Sequence, residues 1–446
     1  MITRIALSVA VGLTAIAVHN NALAADAAIS SNASGGAIVL TASGSRFAGA
    51  ISSLTYRGVQ YIDIADHGRQ MQSAIQLDGW GECYNPNEAG SANDGTKSTS
   101  TSKLLAISSA NNVLFTQTQP AFWLGRQQQY GKACNPNLPA PRNTVSVSQN
   151  TTDLSNFVFQ RTSSFYGPAI PNLLNVDVSW TVPENFTSSN TEASTAYLPS
   201  TFNTFLTYDR ASRTLVKVNA TATDSAAQHT PLPVIIAQAN GQHSMGAFSP
   251  AIMTNPSRGY MAYLNFSTNS APSTKWSCVY GEQTVTAGSV YSYSCPVAVG
   301  TVDEVIAAIE AYPVAGQSVT PMIPVYRFFK SKKHFMSLSY TEGTSAGSDF
   351  ETTGFHTFPS GGEGYQALYR CYNLAGRDHF VSTQSSCEGF SNEGILGYAA
   401  SNQVSGTVPL YRFYNPATAD HLITVNYTEG SQTGLTYEGT LGYVTY

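Results

Sequence analysis

The chain has 446 residues, of which 11% are charged, against about 25% in an ordinary soluble domain. An aromatic content of 11% excludes a disordered chain, and the scarcity of Glu and Lys excludes a long helical protein. The net charge of −5 argues against a general nucleic-acid binder, which needs a basic surface. The composition therefore indicates a folded β-rich protein with a nearly neutral surface.

The first residues have the pattern of a secretory signal peptide. Arg4 supplies the positive charge, an apolar run spans residues 5–18, and residues 22–24 (Ala-Leu-Ala) fit the small-x-small cleavage rule. The run is shorter than the ~20 residues of a membrane-spanning helix, and the alternative is a buried N-terminal helix. We predict that residues 1–24 are a signal peptide cleaved near Ala24, so the mature protein is secreted, either extracellular or periplasmic.

The following segment, residues 25–318, is predicted to be one large antiparallel β-sandwich. Alternating apolar and polar residues recur between turn residues, for example in residues 36–42, 143–148 and 176–182. Residues 302–312 are the one convincing helix, because two acidic residues begin it and apolar residues follow at helical spacing. So long a stretch of strands with almost no helix favours a sandwich.

Residues 66–88 contain the densest group of charged and aromatic side chains, and we predict the functional site there. Glycoside hydrolysis needs two carboxyl groups, epimerisation needs a carboxylate and a histidine, and lyase chemistry needs a base and a charge neutraliser. The candidate catalytic residues are His67, Arg69, Glu82 and Glu88. The candidate ligand contacts are Trp80, whose ring could stack on a sugar, Tyr84 and, from a later strip that also holds His229, His243.

The same cluster also has a purely structural interpretation. Asp66 and Arg69 would form an ion pair in a tight turn, and Glu88 would bond to a loop backbone. Cys83 would then pin that loop to Cys134. Both interpretations remain open on the sequence alone.

The six cysteines agree with an oxidising compartment. Several pairings are compatible with the sequence, and the nearest-neighbour set is the economical one. Cys278 and Cys295 lie in two alternating runs joined by a Gly-containing turn, which would bring them together across a hairpin. The expected pairs are Cys83 with Cys134, Cys278 with Cys295, and Cys371 with Cys387. No Cys/His cluster has ligand spacing, so we expect neither a metal nor a cofactor.

Residues 322–446 contain three copies of one motif. The tyrosines that mark the copies, Tyr326, Tyr369 and Tyr411, lie 43 and 42 residues apart. Short alternating strands separated by Gly and Asn turns favour a closed three-fold β-structure over an open solenoid. The candidate ligand contacts are Tyr369, Asp378, His379, Tyr411, Asp420 and His421.

The Asp-His pairs of these copies have two interpretations. They could line shallow sugar-binding pockets in which tyrosine rings stack on the sugar, or they could pin the turn of each copy. The first copy has Lys333-His334 in place of the Asp-His pair, which weakens a model with three equivalent sites.

Two resemblances follow from these motifs. The Tyr-Arg-Phe-Tyr-Asn-Pro, Asp-His and Tyr-Glu-Gly-x-Leu-Gly-Tyr motifs resemble a repeat family of unassigned function that is appended to secreted microbial hydrolases. That resemblance covers about a quarter of the chain and implies a β-trefoil that binds a surface or a sugar. Residues 45–58 are similar to the opening strands of the galactose-mutarotase-like supersandwich, and residues 66–74 resemble the segment that follows those strands. This resemblance implies a carbohydrate ligand and leaves the chemistry open.

The sequence thus predicts an all-β secreted protein of two domains, a supersandwich followed by a trefoil-like unit. Its expected partner is a polysaccharide or cell-surface glycan, with no nucleic acid and no membrane insertion, and it is expected to be a monomer. Glycoside hydrolase, polysaccharide lyase and sugar epimerase activities all fit. The alternatives from other classes are a non-enzymatic lectin or adhesin and an envelope interaction protein.

Overall fold

A computed structural model of the protein describes residues 25–220, 227–267, 271–432 and 434–446. The predicted signal peptide lies outside the described residues. Of the helices in those ranges, none has the length and apolar character needed to span a bilayer.

The first part of the chain is built almost wholly from strands. In chain order the elements are β1 (Ala27–Ala33), β2 (Gly36–Ala42), β3 (Ile51–Tyr56), β4 (Val59–Gln60), β5 (Gln72–Leu77), β6 (Pro86–Asn87), β7 (Lys103–Ala110), β8 (Val113–Gln119), β9 (Ala121–Phe122), β10 (Val158–Phe165), β11 (Leu173–Thr181), β12 (Ser189–Pro199), β13 (Phe202–Asp209), β14 (Thr214–Val218), β15 (Gln228–Thr230), β16 (Val234–Gln238), β17 (Ser244–Ala247), α1 (Pro250–Thr254), β18 (Gly259–Asn265), β19 (Ser273–Glu282), β20 (Val290–Ser294), β21 (Val297–Gly300) and α2 (Val302–Ala311). Short 3₁₀ turns lie at Gly81–Tyr84, Ala92–Asp94, Arg142–Thr144 and Pro256–Arg258.

The remaining elements form the C-terminal part. They are β22 (Ile323–Lys330), β23 (Lys333–Ser337), α3 (Tyr340–Ser345), β24 (Asp349–Thr357), β25 (Tyr365–Asn373), β26 (Asp378–Ser382), a 3₁₀ turn (Cys387–Gly389), β27 (Ser391–Ala400), β28 (Val408–Asn415), β29 (Asp420–Thr424), α4 (Tyr427–Gln432) and β30 (Thr436–Val444).

Antiparallel sheets make the sandwich. The larger sheet has the order β14-β13-β16-β17-β21-β11-β10-β8-β7, with β20 beside β11, and the smaller has the order β15-β18-β19-β12-β5-β6-β9. Trp180 of the larger sheet and Trp276 of the smaller sheet are fully buried in one shared apolar cluster. A four-stranded sheet, β1-β2-β3-β4, contributes Leu40 and Leu54 to the same cluster. The predicted all-β sandwich is confirmed.

Helix α2 begins at a capping box that the sequence encodes. The Thr301 hydroxyl accepts a hydrogen bond from the Glu304 amide at 3.1 Å, and the Glu304 carboxylate accepts one from the Thr301 amide at 2.8 Å. Val305 and Ile309 are buried on the side of the helix that packs against the sandwich. The helix predicted at residues 302–312 therefore forms, one residue shorter than expected.

The three C-terminal copies have matching elements around one core. Each copy supplies a long strand, a short strand, a short helical turn and a second long strand. Val325, Leu368 and Leu410, one from each copy at equivalent positions, are fully buried together. The β-trefoil assignment and the domain limits stay predictions.

A cycle of ion pairs joins each C-terminal copy to the next. Arg370 of the second copy contacts Glu342 of the first at 2.9 Å and its own Glu393 at 3.0 Å. The same arrangement recurs around the unit: Arg412 contacts Glu388 at 2.6 Å and Glu438 at 2.9 Å, and Arg327 contacts Glu429 at 2.9 Å and Glu351 at 2.8 Å. Since the third copy contacts the first, the cycle is closed.

Lys333 of the first copy breaks the symmetry of this unit. Its ammonium donates hydrogen bonds to the backbone carbonyls of Gly376 at 2.9 Å, Thr418 at 2.6 Å and Ala419 at 2.7 Å. These carbonyls belong to the second and third copies. The lysine thus ties the first copy to both of the others.

The first copy also packs directly on the sandwich. Tyr326, Phe328, Tyr340 and Phe350 are buried in one cluster with residues of β13 and α2. The Asp303 carboxylate accepts hydrogen bonds from the amides of Tyr340 at 2.8 Å and Thr341 at 3.0 Å, at the start of α3. The two parts of the chain are therefore in apolar and hydrogen-bonded contact.

The closed cycle predicts loss of stability in acid. Burial opposes the charge of Glu342, but hydrogen bonds from Arg370 and Ser337 outweigh it and lower the pKa of this carboxyl below its ordinary value of 4.5. Hydrogen bonds from arginine act in the same direction on the pKa of Glu388 and of Glu429. A carboxyl with a lowered folded-state pKa contributes stability that is present above its unfolded pKa and is lost as pH falls through the folded value.

We therefore expect urea unfolding to show a larger difference between about pH 7 and about pH 4 for the wild type than for Glu342→Gln. The matched control is Glu363→Gln, an exposed carboxylate of the same part of the chain. Equal pH dependence in Glu342→Gln and Glu363→Gln would contradict the expectation.

Candidate functional site

An open cleft lies on the face of the smaller sheet that points away from the sandwich core. Along a strand, successive side chains point to opposite faces. In β5, Ser73, Ile75 and Leu77 are buried toward the core, and the intervening residues line the cleft. The cleft side chains from the four central strands are Gln72, Gln76, Asn190, Glu192, Thr195, Tyr197, Tyr260, Leu264, Lys275 and Ser277. The cleft encloses about 570 Å³, a usual size for a ligand site.

A β-bulge in β12 places Glu192 and Thr195 together in this cleft. Glu192 pairs with Val279 of β19 and Ser194 pairs with the adjacent Cys278, so Ala193 is an extra residue in the ladder. The bulge shifts the alternation, and Glu192 and Thr195 therefore reach the same face although three positions separate them.

Glu192 forms an ion pair with Lys275 on the cleft floor. The Lys275 Nζ lies 2.9 Å and 3.1 Å from the two carboxylate oxygens and 5.1 Å from the centre of the Tyr197 ring. Burial disfavours the ammonium, but the charge and hydrogen bond of Glu192, together with Tyr197 and Glu82, outweigh burial and raise the pKa of Lys275. Lys275 therefore stays charged at neutral pH.

Glu82 faces this pair from the turn that follows β5. Its carboxylate accepts a hydrogen bond from the Asn85 side-chain amide at 2.9 Å. Burial raises the pKa of Glu82 and the negative charge of Glu192 acts in the same direction, while Asn85 and Lys275 oppose them. A carboxyl group with a raised pKa keeps its proton to higher pH, which is the property a general acid needs.

Arg69 lies at one side of the cleft with its charge already engaged. Its guanidinium contacts the carboxylates of Asp63 at 2.9 Å and Asp66 at 3.1 Å. It also donates to the Ala271 carbonyl at 2.7 Å and the Ser273 hydroxyl at 3.2 Å. Arg69 therefore holds the loop before β5 against the start of β19.

Aromatic rings surround the polar floor. The ring-bearing residues of the lining are Trp123, Tyr130, Tyr197, His229, Tyr260 and Phe266. His229 stacks on Tyr260 with ring centres 3.9 Å apart, and burial lowers the pKa of its imidazole. Flat rings beside hydroxyl and amide groups form a surface on which a sugar ring can stack while its hydroxyls are hydrogen-bonded. Across the described ranges, no cluster of three or more His, Cys, Asp or Glu residues could hold a metal ion.

Two of the four predicted catalytic residues are outside the cleft. His67 is buried, and its two ring nitrogens contact the backbone oxygens of Gly95 and Arg46, both at 2.8 Å. Glu88 is buried between the two sheets and contacts Arg161 at 2.6 Å. The structure therefore brings Arg69 and Glu82 together in the cleft and corrects the expectation that His67 and Glu88 join them.

The other candidates from the sandwich also have structural contacts. Trp80 packs under the guanidinium of Arg142 at 4.2 Å, and Tyr84 donates to Glu184 at 3.1 Å. His243 contacts the Tyr61 hydroxyl at 3.2 Å. None of these three side chains lines the cleft. The histidine that lines the cleft is His229, which lies earlier in the same part of the sequence as His243.

In the C-terminal part the Asp-His pairs connect different copies. Asp378 of the second copy contacts the ring of His421 in the third at 2.5 Å. Asp420 of the third contacts the ring of His334 in the first at 2.7 Å. The first copy has Lys333 at the position of these aspartates, so it supplies no carboxylate to His379 of the second copy. His379 instead lies 3.3 Å from Glu393. Because Asp378 and Asp420 are buried, these contacts agree with the structural interpretation of the pairs.

The two predicted tyrosine contacts of this part are only half-buried. Tyr369 packs beside the disulfide of the second copy. Tyr411 packs against Tyr427 and Tyr437, with ring centres 5.2 Å and 6.2 Å away.

All six cysteines are in disulfides. The pairs are Cys83 with Cys134, Cys278 with Cys295 and Cys371 with Cys387, the nearest-neighbour set. The first of these fixes the turn that carries Glu82, since Cys83 is the next residue.

The sequence did not identify the floor of the cleft. Glu192 and Lys275 are distant in the chain and no motif surrounds either of them. The available signal was a charged residue on each of two otherwise well-buried strands, because an ionised side chain is rarely placed there without a partner.

Comparisons with known proteins give two findings. Residues 324–445 match the model of a family described as a domain of unknown function (DUF5648). Against the curated proteins, the chain has no match.

Solved structures with a similar arrangement have low identity to the chain. A heparan sulfate lyase from Pedobacter heparinus is 9% identical with a TM-score of 0.31, and the alignment covers 59% of this chain and 33% of the lyase. A galactose mutarotase related enzyme from Lactobacillus acidophilus is 7% identical with a TM-score of 0.33, covering 66% of this chain and 100% of the enzyme. An aldose epimerase homologue from C. elegans is 8% identical with a TM-score of 0.33, covering 62% and 100%. The chain thus spans about a third of the lyase, and at these scores the likenesses carry no information on activity.

Proposed function

We propose that the protein is a secreted carbohydrate-associated protein whose cleft binds an extracellular polysaccharide and acts on it. The observation that carries this proposal is the pairing of Glu82, with its raised pKa, and the Glu192–Lys275 ion pair within a ring of aromatic side chains. The trefoil-like C-terminal unit would hold the cleft near a surface or a glycan.

The chemistry best supported is acid-assisted cleavage of a glycosidic bond. Such cleavage needs one protonated carboxyl group to donate to the leaving oxygen and one ionised carboxylate. Glu82 suits the first role because burial favours its protonated form, and Glu192, in its ion pair with Lys275, is the carboxylate for the second. Arg69, already paired with Asp63 and Asp66, would position the loop rather than react.

A lectin that binds without turnover is the second candidate. Two predicted catalytic side chains, His67 and Glu88, are occupied by structural contacts, which leaves the cleft with fewer reactive groups than the sequence suggested. The polar floor and the aromatic rim of the cleft would support binding without turnover as well as they would support catalysis.

A panel of polysaccharides assayed for binding and for release of reducing ends separates these functions. We expect Glu82→Gln to retain binding within about three-fold and to lower product release by at least about 100-fold, as expected for loss of a general acid. Glu363→Gln, an exposed carboxylate outside the cleft, is the matched control and should behave as the wild type.

Binding by the wild type without any product would favour the lectin. Product release that survives Glu82→Gln would remove Glu82 from the acid role. No binding to any member of the panel would overturn the carbohydrate proposal as a whole.

A further inference from the structure

Each cation that lines the cleft already has a carboxylate partner. Lys275 contacts Glu192 through both carboxylate oxygens. Arg69 is shared between Asp63 and Asp66. Neither cation is free to meet an acidic group of a ligand without first giving up an ion pair.

Carboxylates outnumber these cations in and beside the cleft. The cations are Lys275 and Arg69, and the carboxyl groups beside them are those of Glu82, Glu192, Asp63 and Asp66. Lys132 lies outside the lining, with its ammonium 5.3 Å from the centre of the Tyr130 ring.

An acidic sugar would therefore enter an unfavourable field. A uronate or sulfate brought beside the Glu192 carboxylate loses its hydration and meets a charge of its own sign, whose cation is already engaged. A neutral sugar meets amides, hydroxyls and aromatic faces, supplied for example by Gln72, Asn190 and Tyr260. The charge arrangement favours the neutral ligand.

We infer that the cleft takes a neutral polysaccharide and discriminates against uronate-containing or sulfated chains, with the Glu192–Lys275 pair as the main element of that specificity. This inference rests on the proposed function and names the substrate class of the same cleft. Elimination from a uronate needs a free group to neutralise the sugar carboxylate, so the inference also favours hydrolysis over lyase chemistry.

The test uses pairs of polysaccharides that differ only at C6 of each sugar. Polygalacturonate and its carboxyl-reduced derivative form one pair, and a glucuronan with its reduced glucan and a mannuronan with its reduced mannan form two more. Binding of the full-length protein is measured by calorimetry at low and at moderate salt. We expect the neutral member of at least one pair to bind at least about 10-fold more tightly, with an affinity that salt changes little.

Variants connect this preference to the ion pair. Glu192→Gln releases Lys275, and we expect it to improve binding of the acidic member at least about 10-fold at low salt, with an increase that salt removes. Asp66→Asn removes one of the two carboxylates that share Arg69 and gives a second route to the same gain if Glu192→Gln does not fold. Glu363→Gln should leave the preference unchanged.

The outcomes separate the inference from the function on which it rests. Equal or tighter binding of the acidic members by the wild type overturns the inference and leaves the carbohydrate proposal standing. Absence of binding to every member of every pair overturns both. A neutral preference that neither cleft variant alters overturns the role given to the ion pair.

Discussion

Replacing Arg161 with methionine is expected to lower the free energy of unfolding by about 3–5 kcal/mol, because it leaves the Glu88 carboxylate buried without its cation. The side chains of Arg161 and Glu88 are 1% and 0% exposed, and their closest atoms are 2.6 Å apart. Glu88 also accepts the Ser73 amide at 2.9 Å. Burial raises the pKa of Glu88 even beside Arg161, so loss of the arginine should drive this carboxyl further toward its protonated form.

Urea unfolding at neutral pH checks this expectation. The double variant Glu88→Gln with Arg161→Met should recover part of the loss, because no buried charge remains in it. Arg126→Met, at an exposed arginine, is the matched control and should change the stability by less than about 0.5 kcal/mol. A loss below about 1 kcal/mol in Arg161→Met would show that water reaches Glu88 or that the core rearranges around it.

Removing the disulfide between Cys83 and Cys134 is expected to cost about 4 kcal/mol, since it closes a loop with a sequence separation of 51. The Cys83→Ala and Cys134→Ala double variant should also weaken polysaccharide binding, because the turn that carries Glu82 loses its attachment. The loss of binding follows from the position of the disulfide, at the edge of the cleft.

The disulfide of the second C-terminal copy provides the control. Cys371 and Cys387 close a shorter loop, with a separation of 16, so their replacement by alanine should cost about 3 kcal/mol. Thermal unfolding measures both losses and calorimetry measures binding by each folded variant. If both double variants bind equally well, the first disulfide does not position Glu82.

Local signals predicted much of the fold. Alternating strands indicated the sandwich, and Thr301 with Glu304 encodes the start of the helix. The pairing of Cys278 with Cys295 is confirmed, but the expected hairpin is wrong: Cys278 lies in β19 of the smaller sheet and Cys295 follows β20 of the larger sheet, so this disulfide joins the two sheets. The strands and the helix start depend on residues close in sequence, where periodicity and capping are informative.

The floor of the cleft depends on contacts between distant strands. The bulge at Ala193 reverses the faces of the residues that follow it, which brings Thr195 and Tyr197 to the same face as Glu192 before it. Lys275 reaches the floor through the register of β19 against β12. Neither the bulge nor the register is written in the local pattern, so the ion pair could not be predicted.

The placement of the predicted catalytic residues has a related cause. His67 and Glu88 lie in the same polar segment as the cleft residues Arg69 and Glu82, but they point to the interior. Charge density along the chain pointed to a region that contributes Arg69 and Glu82 to the cleft. It could not show which side of the sheet each charge would occupy, because a buried charge with a partner looks the same in the sequence as a reactive one.

The lysine that replaces aspartate in the first C-terminal copy determines how the three copies assemble. With identical copies, any one could take the place of any other. Lys333 instead donates hydrogen bonds to backbone carbonyls of the other two copies. The equivalent position of the second and third copies is an aspartate, which contacts a histidine of the next copy. A permuted order of the copies would set a charge against the wrong partner. The lysine therefore distinguishes the first copy from the other two and fixes its place in the ring.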